Sequence, residues 1–263
     1  MKTANLYKNF FLLFLGILLI NLDLQAQENI PKANFDVKKV VKEIYNADFS
    51  DDDQKIYEWI PAKNNLRKNW ANPDDFVQTK IYKIFYSGKN KERITISTYT
   101  SVVNEKYNTH DCHACGRILG LISYQLNPKT NQYELLYANK TVGEFGNWGY
   151  GEKNINLIQI TPQIDLIQLD SGFYTMGIAT SESLFFYKGR KILELENSAF
   201  YEDAIGKDIG YEINFKTDQQ NGILIAHKKG DSVTDLTNKK IQHINRIFKY
   251  QFNAKQGEFQ KLK

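Results

Sequence analysis

Apolar side chains recur at every second residue in many segments of this chain, and this period limits the folds open to it. Over residues 209–216 and 248–253, an apolar or aromatic residue alternates with a polar residue or glycine. Such alternation is typical of a β-strand with one buried face. Similar runs bounded by turn-forming residues predict further strands over 76–87, 92–101, 117–126, 132–138, 183–187 and 191–195.

Short polar turns separate these runs, as at residues 88–91, 127–131 and 188–190. Two strands joined by such a turn form an antiparallel hairpin, whereas parallel strands need a crossover of a dozen or more residues, usually helical. Long helical patterns between the strands are missing from the sequence. The predicted fold class is therefore α+β and mainly antiparallel β, with hairpins arranged as a meander.

The N-terminal part of the chain follows a helical period instead. Val37, Val40, Val41 and Ile44 fall at i, i+3, i+4 and i+7 with charged residues between them, which predicts an amphipathic helix. Ser50 with Asp53 three residues later resembles a capping box, and it predicts a second short helix through residues 57–60. We therefore expect one or two short N-terminal helices.

The first 26 residues have the three parts of a secretory signal. Two lysines precede an apolar run at residues 10–20, and Ala26 offers a small residue for cleavage. The run is shorter than the ~20 residues that a membrane span needs. We expect 1–26 to be removed and 27–263 to form one exported domain, periplasmic or extracellular, with no stable membrane span. Within it, we expect a helical section at 27–72 and antiparallel strands over 73–263.

The charge of the chain is mildly basic. The formal net charge is +4, and loss of Lys2, Lys8 and Asp23 with the signal segment leaves +3. A nucleic-acid-binding protein normally concentrates basic residues in a stripe. The basic residues here look spread along the sequence, so we expect no nucleic-acid partner.

The only two cysteines lie together in the segment His110-Asp111-Cys112-His113-Ala114-Cys115. Export would expose them to an oxidising compartment, which favours a local Cys112–Cys115 disulfide. A second interpretation is a zinc or copper site built from His110, Cys112, His113 and Cys115, because thiolate and imidazole suit both metals. The disulfide interpretation needs no cofactor.

A third interpretation of this segment is redox catalysis. The Cys-x-x-Cys spacing resembles the motif of thioredoxin-like oxidoreductases, and the resemblance covers only Cys112 to Cys115. It implies thiol–disulfide exchange, with protonated His113 helping to lower the pKa of Cys112. The strand-like alternation over 117–126 departs from that family, which has a helix after the motif.

A glycine-rich aromatic segment at residues 143–152 is the other unusual stretch. It offers the flat faces of Phe145, Trp148 and Tyr150 together with the carboxylates of Glu144 and Glu152. These residues form a candidate binding loop. The alternative is a wide turn whose aromatic side chains cover one edge of the core.

The sequence contains no complete catalytic constellation, such as a Gly-x-Ser-x-Gly nucleophile elbow. We therefore expect a non-catalytic binding or inhibitory module whose partner is an unidentified protein or small molecule. The alternative function is thiol–disulfide exchange or metal binding through Cys112 and Cys115.

Overall fold

A computed structural model describes residues 35–51, 56–59, 77–102, 117–145, 154–175, 178–201, 209–235, 237 and 240–263. Among these residues there is one α-helix, α1, over Val37–Tyr45. The side chain of Asp36 caps its N-terminus by accepting a hydrogen bond from the Lys39 N–H at 3.1 Å. Asn46 ends it in the left-handed conformation with φ 50°. The predicted first helix is confirmed.

The described strands form two antiparallel sheets, each with its strands in chain order. The first, six-stranded sheet contains β1 (Asp48–Asp51), β2 (Ile56–Trp59), β3 (Val77–Ser87), β4 (Arg93–Val102), β5 (Arg117–Asn127) and β6 (Gln132–Phe145). The second, eight-stranded sheet contains β7 (Asn154–Thr161), β8 (Ile164–Thr175), β9 (Ile178–Tyr187), β10 (Arg190–Tyr201), β11 (Ile209–Asp218), β12 (Ile223–Asp235), β13 (Lys240–Asn253) and β14 (Glu258–Lys261). The prediction of a mainly antiparallel meander is confirmed.

The second predicted helix is wrong. Residues 56–59 form β2, which pairs with β1 on one side and with β3 on the other. Ser50, the predicted cap, lies within β1. The segment Ile-Tyr-Glu-Trp is β-branched and aromatic, and sheet pairing overrides the local capping signal. The section at 27–72 is therefore not purely helical, because it contains the first two strands.

Turn chemistry explains the hairpin between β9 and β10. Tyr187 pairs directly with Arg190, so Lys188 and Gly189 form a two-residue turn. Both have positive φ, 49° and 70°. This is the type I′ geometry that matches the twist of antiparallel strands, and it favours glycine at the second position. The hairpin predicted around residues 188–190 is confirmed.

Helix α1 covers one face of the first sheet. Val41, Tyr45 and Ala47 pack against Ile96 and Ile122, and all five side chains are buried. Tyr45 reaches into the sheet, where its hydroxyl lies 2.6 Å from the Thr98 hydroxyl. The apolar stripe seen in the sequence is thus the face that packs on the sheet.

The opposite face of the first sheet packs against β7–β9. Leu119 and Leu121 of β5 share a buried cluster with Leu169 of β8 and with Leu184 and Phe186 of β9. Strand β5 is therefore buried on both faces, with α1 on one side and the second sheet on the other. Such strands have nearly continuous apolar sequences rather than a clean alternation.

The second sheet curls so that β11–β13 cover the other face of β7–β9. Leu166 and Phe185 lie in a third cluster with Leu224 and Ala226 of β12. The Phe185 ring meets the Phe215 ring edge-to-face with centroids 5.3 Å apart. This curl brings β11 beside β7. Within the described ranges, no helix is long and apolar enough to cross a membrane.

Candidate functional site

The cysteine segment falls in a part of the chain that the structure does not describe. His110, Cys112, His113 and Cys115 all lie within residues 103–116, outside the described ranges. The disulfide, metal and redox interpretations therefore stay predictions. In the part of the chain that is described, no group of three or more His, Cys, Asp or Glu side chains could hold a metal ion.

The glycine-rich segment is described only at its beginning. Strand β6 ends at Phe145, whose side chain is 9 % exposed and lies 5.9 Å from the Phe186 ring, edge-to-face. The Phe145 ring thus covers the core between the two sheets. Glu144 precedes it in the strand, and Trp148, Tyr150 and Glu152 lie outside the described residues. Their assignment to a binding loop stays a prediction.

A polar network inside the second sheet contains serine and aspartate, as many catalytic sites do, but its hydrogen bonds hold the sheet together. Asp170 accepts hydrogen bonds from the Ser183 hydroxyl at 2.5 Å and from the Gln168 amide at 2.8 Å. The two histidines among the described residues, His227 and His243, lie on β12 and β13 and bond to other partners. A serine that donates to a carboxylate with no base beside it is not an activated nucleophile. The network satisfies polar groups within the sheet.

An ion pair joins the two sheets. The Arg93 guanidinium lies 3.0 Å from the Asp165 carboxylate, with the two side chains only 15 % and 10 % exposed. Arg93 also donates to the Gln163 carbonyl at 2.6 Å, and Ser87 donates to the same carboxylate. Arg93 Nε and Asp165 Oδ1 are buried without a hydrogen-bond partner among the described residues. The contacts that the pair does make align the two sheets.

An open groove runs between β7 and β11. Its wall contains four amide side chains and four apolar ones, together with Lys216 and Thr217; the amides are Asn156, Gln159, Gln168 and Gln219. Two of these amides are already engaged within the protein. Gln159 donates to the Pro162 carbonyl at 3.1 Å, and Gln168 donates to Asp170. The groove is open and half of its amides are already engaged, so its polar groups do not converge on one ligand position.

The surface with the strongest binding character is the outer part of the β12–β13 hairpin. We define the open ribbon as residues 230–235 of β12 and 240–248 of β13. Strand β11 pairs with β12 only as far as Gly230, so the rest of β12 extends beyond it. On β13, Ile241 is 44 % exposed and Ile247 is 61 % exposed. The two exposed isoleucines stand about 20 Å apart on the strand at its usual rise.

One edge of β13 has no partner strand among the described residues. Strand β14 pairs only with residues 250–253, and the Leu262 N–H then donates to the Lys249 carbonyl at 2.9 Å. On the other side, the Phe252 N–H donates to Gly222 of the β12 side at 2.9 Å. Backbone groups of a strand alternate between its two sides. The N–H and C=O groups of residues 241, 243, 245 and 247 therefore point to the unpaired side.

Among charged residues, strand β13 of the open ribbon carries basic ones only, whereas the β12 part of the ribbon contains Asp231 and Asp235, opposite His243 and Lys240. Residues 209–263 carry ten Lys and Arg against five Asp and Glu, and residues 77–102 carry five against one, so basic residues occur on both sheets. Strand β13 contains Lys240, Arg246 and Lys249 and no acidic residue. Lys228 opposite Arg246 is engaged elsewhere, 3.6 Å from Glu196 and 3.6 Å from the Tyr211 ring centroid. Arg246 has no ion-pair partner among the described residues.

One histidine, His243, lies in the ribbon, and His227 lies on β12 just before it. His227 lies 2.7 Å from the Asn245 side chain, and the His243 ring lies 2.9 Å from the Asp231 carboxylate. Both contacts tie β12 to β13. The His243–Asp231 contact lies beyond the last residue of β12 that pairs with β11, whereas His227 still pairs with Asn214 of β11.

Sequence reasoning did not identify this surface. The alternation over 248–253 indicates a strand, but the sequence does not show which strand lies on each side of it. The charge pattern could have pointed to this strand, because residues 240–253 contain three Lys or Arg and no Asp or Glu. Comparisons with models of protein families, with curated proteins and with solved structures found no match to this chain.

Proposed function

We propose that the protein is an exported, non-catalytic binding module that contacts its partner through the open ribbon. The observation that carries this proposal is the unpaired edge of β13, flanked by Ile241 and Ile247 and by unpaired basic charge at Arg246. Unpaired backbone donors and acceptors, exposed apolar side chains and an unpaired charge are elements of a protein-binding surface.

Attachment of one end of the ribbon to the core supports a binding role. Phe248, Tyr250 and Phe252 of the same strand pack into the third core cluster. The ribbon is thus anchored at one end in the core and extended at the other. A rigid contact surface loses less conformational entropy on association than a flexible loop does.

Site-specific photo-crosslinking tests the proposed contact surface. A photo-reactive residue replacing Ile247 should give a discrete adduct in the envelope fraction of cells that produce the protein. The same residue at Tyr86, which is 52 % exposed on the first sheet, is the matched control. Excess unmodified protein should compete the Ile247 adduct away. Equal labelling from both positions, or no adduct from Ile247, would contradict the proposal.

The cysteines distinguish this function from the thiol or metal alternative. Replacing Cys112 and Cys115 by serine should leave the Ile247 adduct intact and should lower the free energy of unfolding by about 2 kcal/mol, because the closed loop is short. Urea unfolding and the crosslinking assay measure the two quantities. Loss of the adduct in a folded double variant, or stoichiometric zinc or copper in the purified protein, would favour the alternative instead.

A further inference from the structure

We infer that the open ribbon binds an extended acidic peptide segment by strand addition, with the segment pairing antiparallel along the free edge of β13. This inference rests on the proposed function and names both the partner chemistry and the geometry of binding. It follows from three features of the ribbon: the direction of its backbone groups, its charge, and the side chains on its two faces.

The backbone of β13 has unpaired hydrogen-bonding groups along its free edge. Residues 241, 243, 245 and 247 each present one N–H and one C=O to the unpaired side, over a length of about 20 Å at the usual rise of a strand. Every described strand pair in this protein is antiparallel, so the twist of the sheet suits an antiparallel addition. Main-chain hydrogen bonds supply affinity in this mode of recognition, and alternate side chains supply specificity.

The charge of the strand selects an acidic partner. Two copies of β13 placed edge to edge would put Lys240 and Arg246 of each chain on adjacent strands, with no acidic residue on either strand. Like charges on adjacent strands are destabilising, and basic residues on an edge strand oppose self-association. An acidic strand reverses the sign of this interaction. A second copy of the chain is therefore the unfavourable occupant and an acidic segment is the favourable one.

The two faces of β13 set the pattern of the segment. Side chains of a strand alternate between its two faces. Ile244 and Arg246 lie on the same face as Phe248, which packs in the core. Ile241 and Ile247 lie on the opposite, outer face. Directly opposed side chains interact most strongly. The expected segment thus has an apolar residue opposite each isoleucine and a carboxylate opposite Arg246 and Lys240.

The octapeptide Val-Glu-Thr-Val-Thr-Thr-Val-Glu, blocked at both ends, has this pattern and is the probe. Its first residue is placed opposite Ile247 and its last opposite Lys240. Isothermal titration or fluorescence anisotropy should show saturable binding to the full chain. The same peptide with lysine in place of glutamate should bind at least about tenfold more weakly, since each glutamate faces a cation.

Backbone substitutions separate strand addition from other binding. Asn245→Pro removes one outward N–H and leaves the bonds to β12, as an edge strand tolerates. Asn245→Ala removes the same side chain, including its contact to His227, but keeps the N–H. We expect Asn245→Pro to weaken peptide binding about tenfold relative to Asn245→Ala. N-methylation of the third and fifth peptide residues, which face β13, should abolish binding, and N-methylation of the second and sixth should spare it.

The outcomes separate this inference from the proposed function. Charge-dependent binding that ignores N-methylation and does not distinguish the two Asn245 variants would overturn strand addition while leaving the open ribbon as the contact surface. A sulfated polysaccharide that competes as strongly as the peptide would overturn the peptide inference, because it offers charge without a backbone ladder. An edge-to-edge dimer in sedimentation at low salt would overturn it as well. Absence of both peptide binding and the Ile247 adduct would overturn both proposals.

Discussion

Phe186→Ala should lower the free energy of unfolding by about 3–5 kcal/mol, the usual cost of removing a buried phenylalanine ring. Phe186 is 1 % exposed and packs in the cluster that joins β5 to β8 and β9. Its ring also meets the Phe145 ring edge-to-face. Loss of the ring leaves a cavity between the two sheets. Urea unfolding, monitored by tyrosine and tryptophan fluorescence, measures the change.

A leucine on the outside of the first sheet is the control for this variant. Leu136 of β6 is 54 % exposed, so Leu136→Ala should change the free energy of unfolding by about 0.5 kcal/mol or less. If the two variants lose the same stability, the two sheets do not pack through this cluster. Both variants keep the open ribbon unchanged and should retain peptide binding under folding conditions.

Raising the pH from 10 to 12 should destabilise the protein by about 4–5 kcal/mol through two tyrosines. Burial raises the pKa of Tyr45 to about 12, although hydrogen bonds with Thr98 and Thr100 act in the opposite direction. Burial likewise raises the pKa of Tyr137 to about 12, against hydrogen bonds with Ser123 and Thr95. In the unfolded chain a tyrosine ionises near pH 10. The unfolded state therefore releases its protons first as the pH rises.

The sign of the effect follows from this order of ionisation. Below pH 10 both states hold the phenolic protons, and the contribution to stability is fully present. Between pH 10 and pH 12 ionisation favours mainly the unfolded state, so about 2–2.5 kcal/mol is lost for each tyrosine. Urea unfolding at successive pH values should show the fall. The loss of stability between pH 10 and pH 12 should be smaller in a Tyr45→Phe, Tyr137→Phe double variant, which lacks both phenols. In Tyr86→Phe it should be the same as in the unmodified protein, because the Tyr86 side chain is 52 % exposed.

Gly120 of β5 leaves the space that the Tyr45 hydroxyl occupies. A Cβ atom built on Gly120 would lie 2.1 Å from the Tyr45 hydroxyl and 2.4 Å from the Thr98 hydroxyl. Only glycine allows helix α1 to place this hydroxyl against β5. Gly120 has no side chain in the alternating pattern of β5. The Tyr45 hydroxyl fills this space and makes its polar contact with Thr98 there.

Local signals in the sequence predicted the elements that depend on near neighbours. The periodicity of Val37 to Ile44 is sufficient for helix α1, and Lys188-Gly189 is sufficient for its hairpin, since both act within a few residues. The segment Ile56–Trp59 was assigned wrongly because its conformation depends on β3, which begins eighteen residues further along the chain. A capping motif cannot report a contact at that distance.

The packing of the two sheets and the free edge of β13 could not be predicted either, because both depend on which segments pair and pack with one another. Burial of β5 on both faces is set by α1 on one side and by β7–β9 on the other, and neither is near it in sequence. The edge of β13 is open because β14 covers only four of its residues. A strand sequence specifies alternation of faces but not the number of its partners. The excess of basic residues in β13 was present in the sequence, and it acquires meaning only once the edge is known to be free.

Residue-resolved amide hydrogen exchange along β13 tests the central claim most directly. In the free protein, the amides of Gln242, Ile244, Arg246 and Phe248 should be protected by β12, whereas those of Ile241, His243, Asn245 and Ile247 should exchange rapidly. Addition of the acidic octapeptide should protect the second set and leave the first unchanged. Uniform protection of β13 in the free protein, or rapid exchange of the second set with the peptide bound, would contradict a free edge that binds by strand addition.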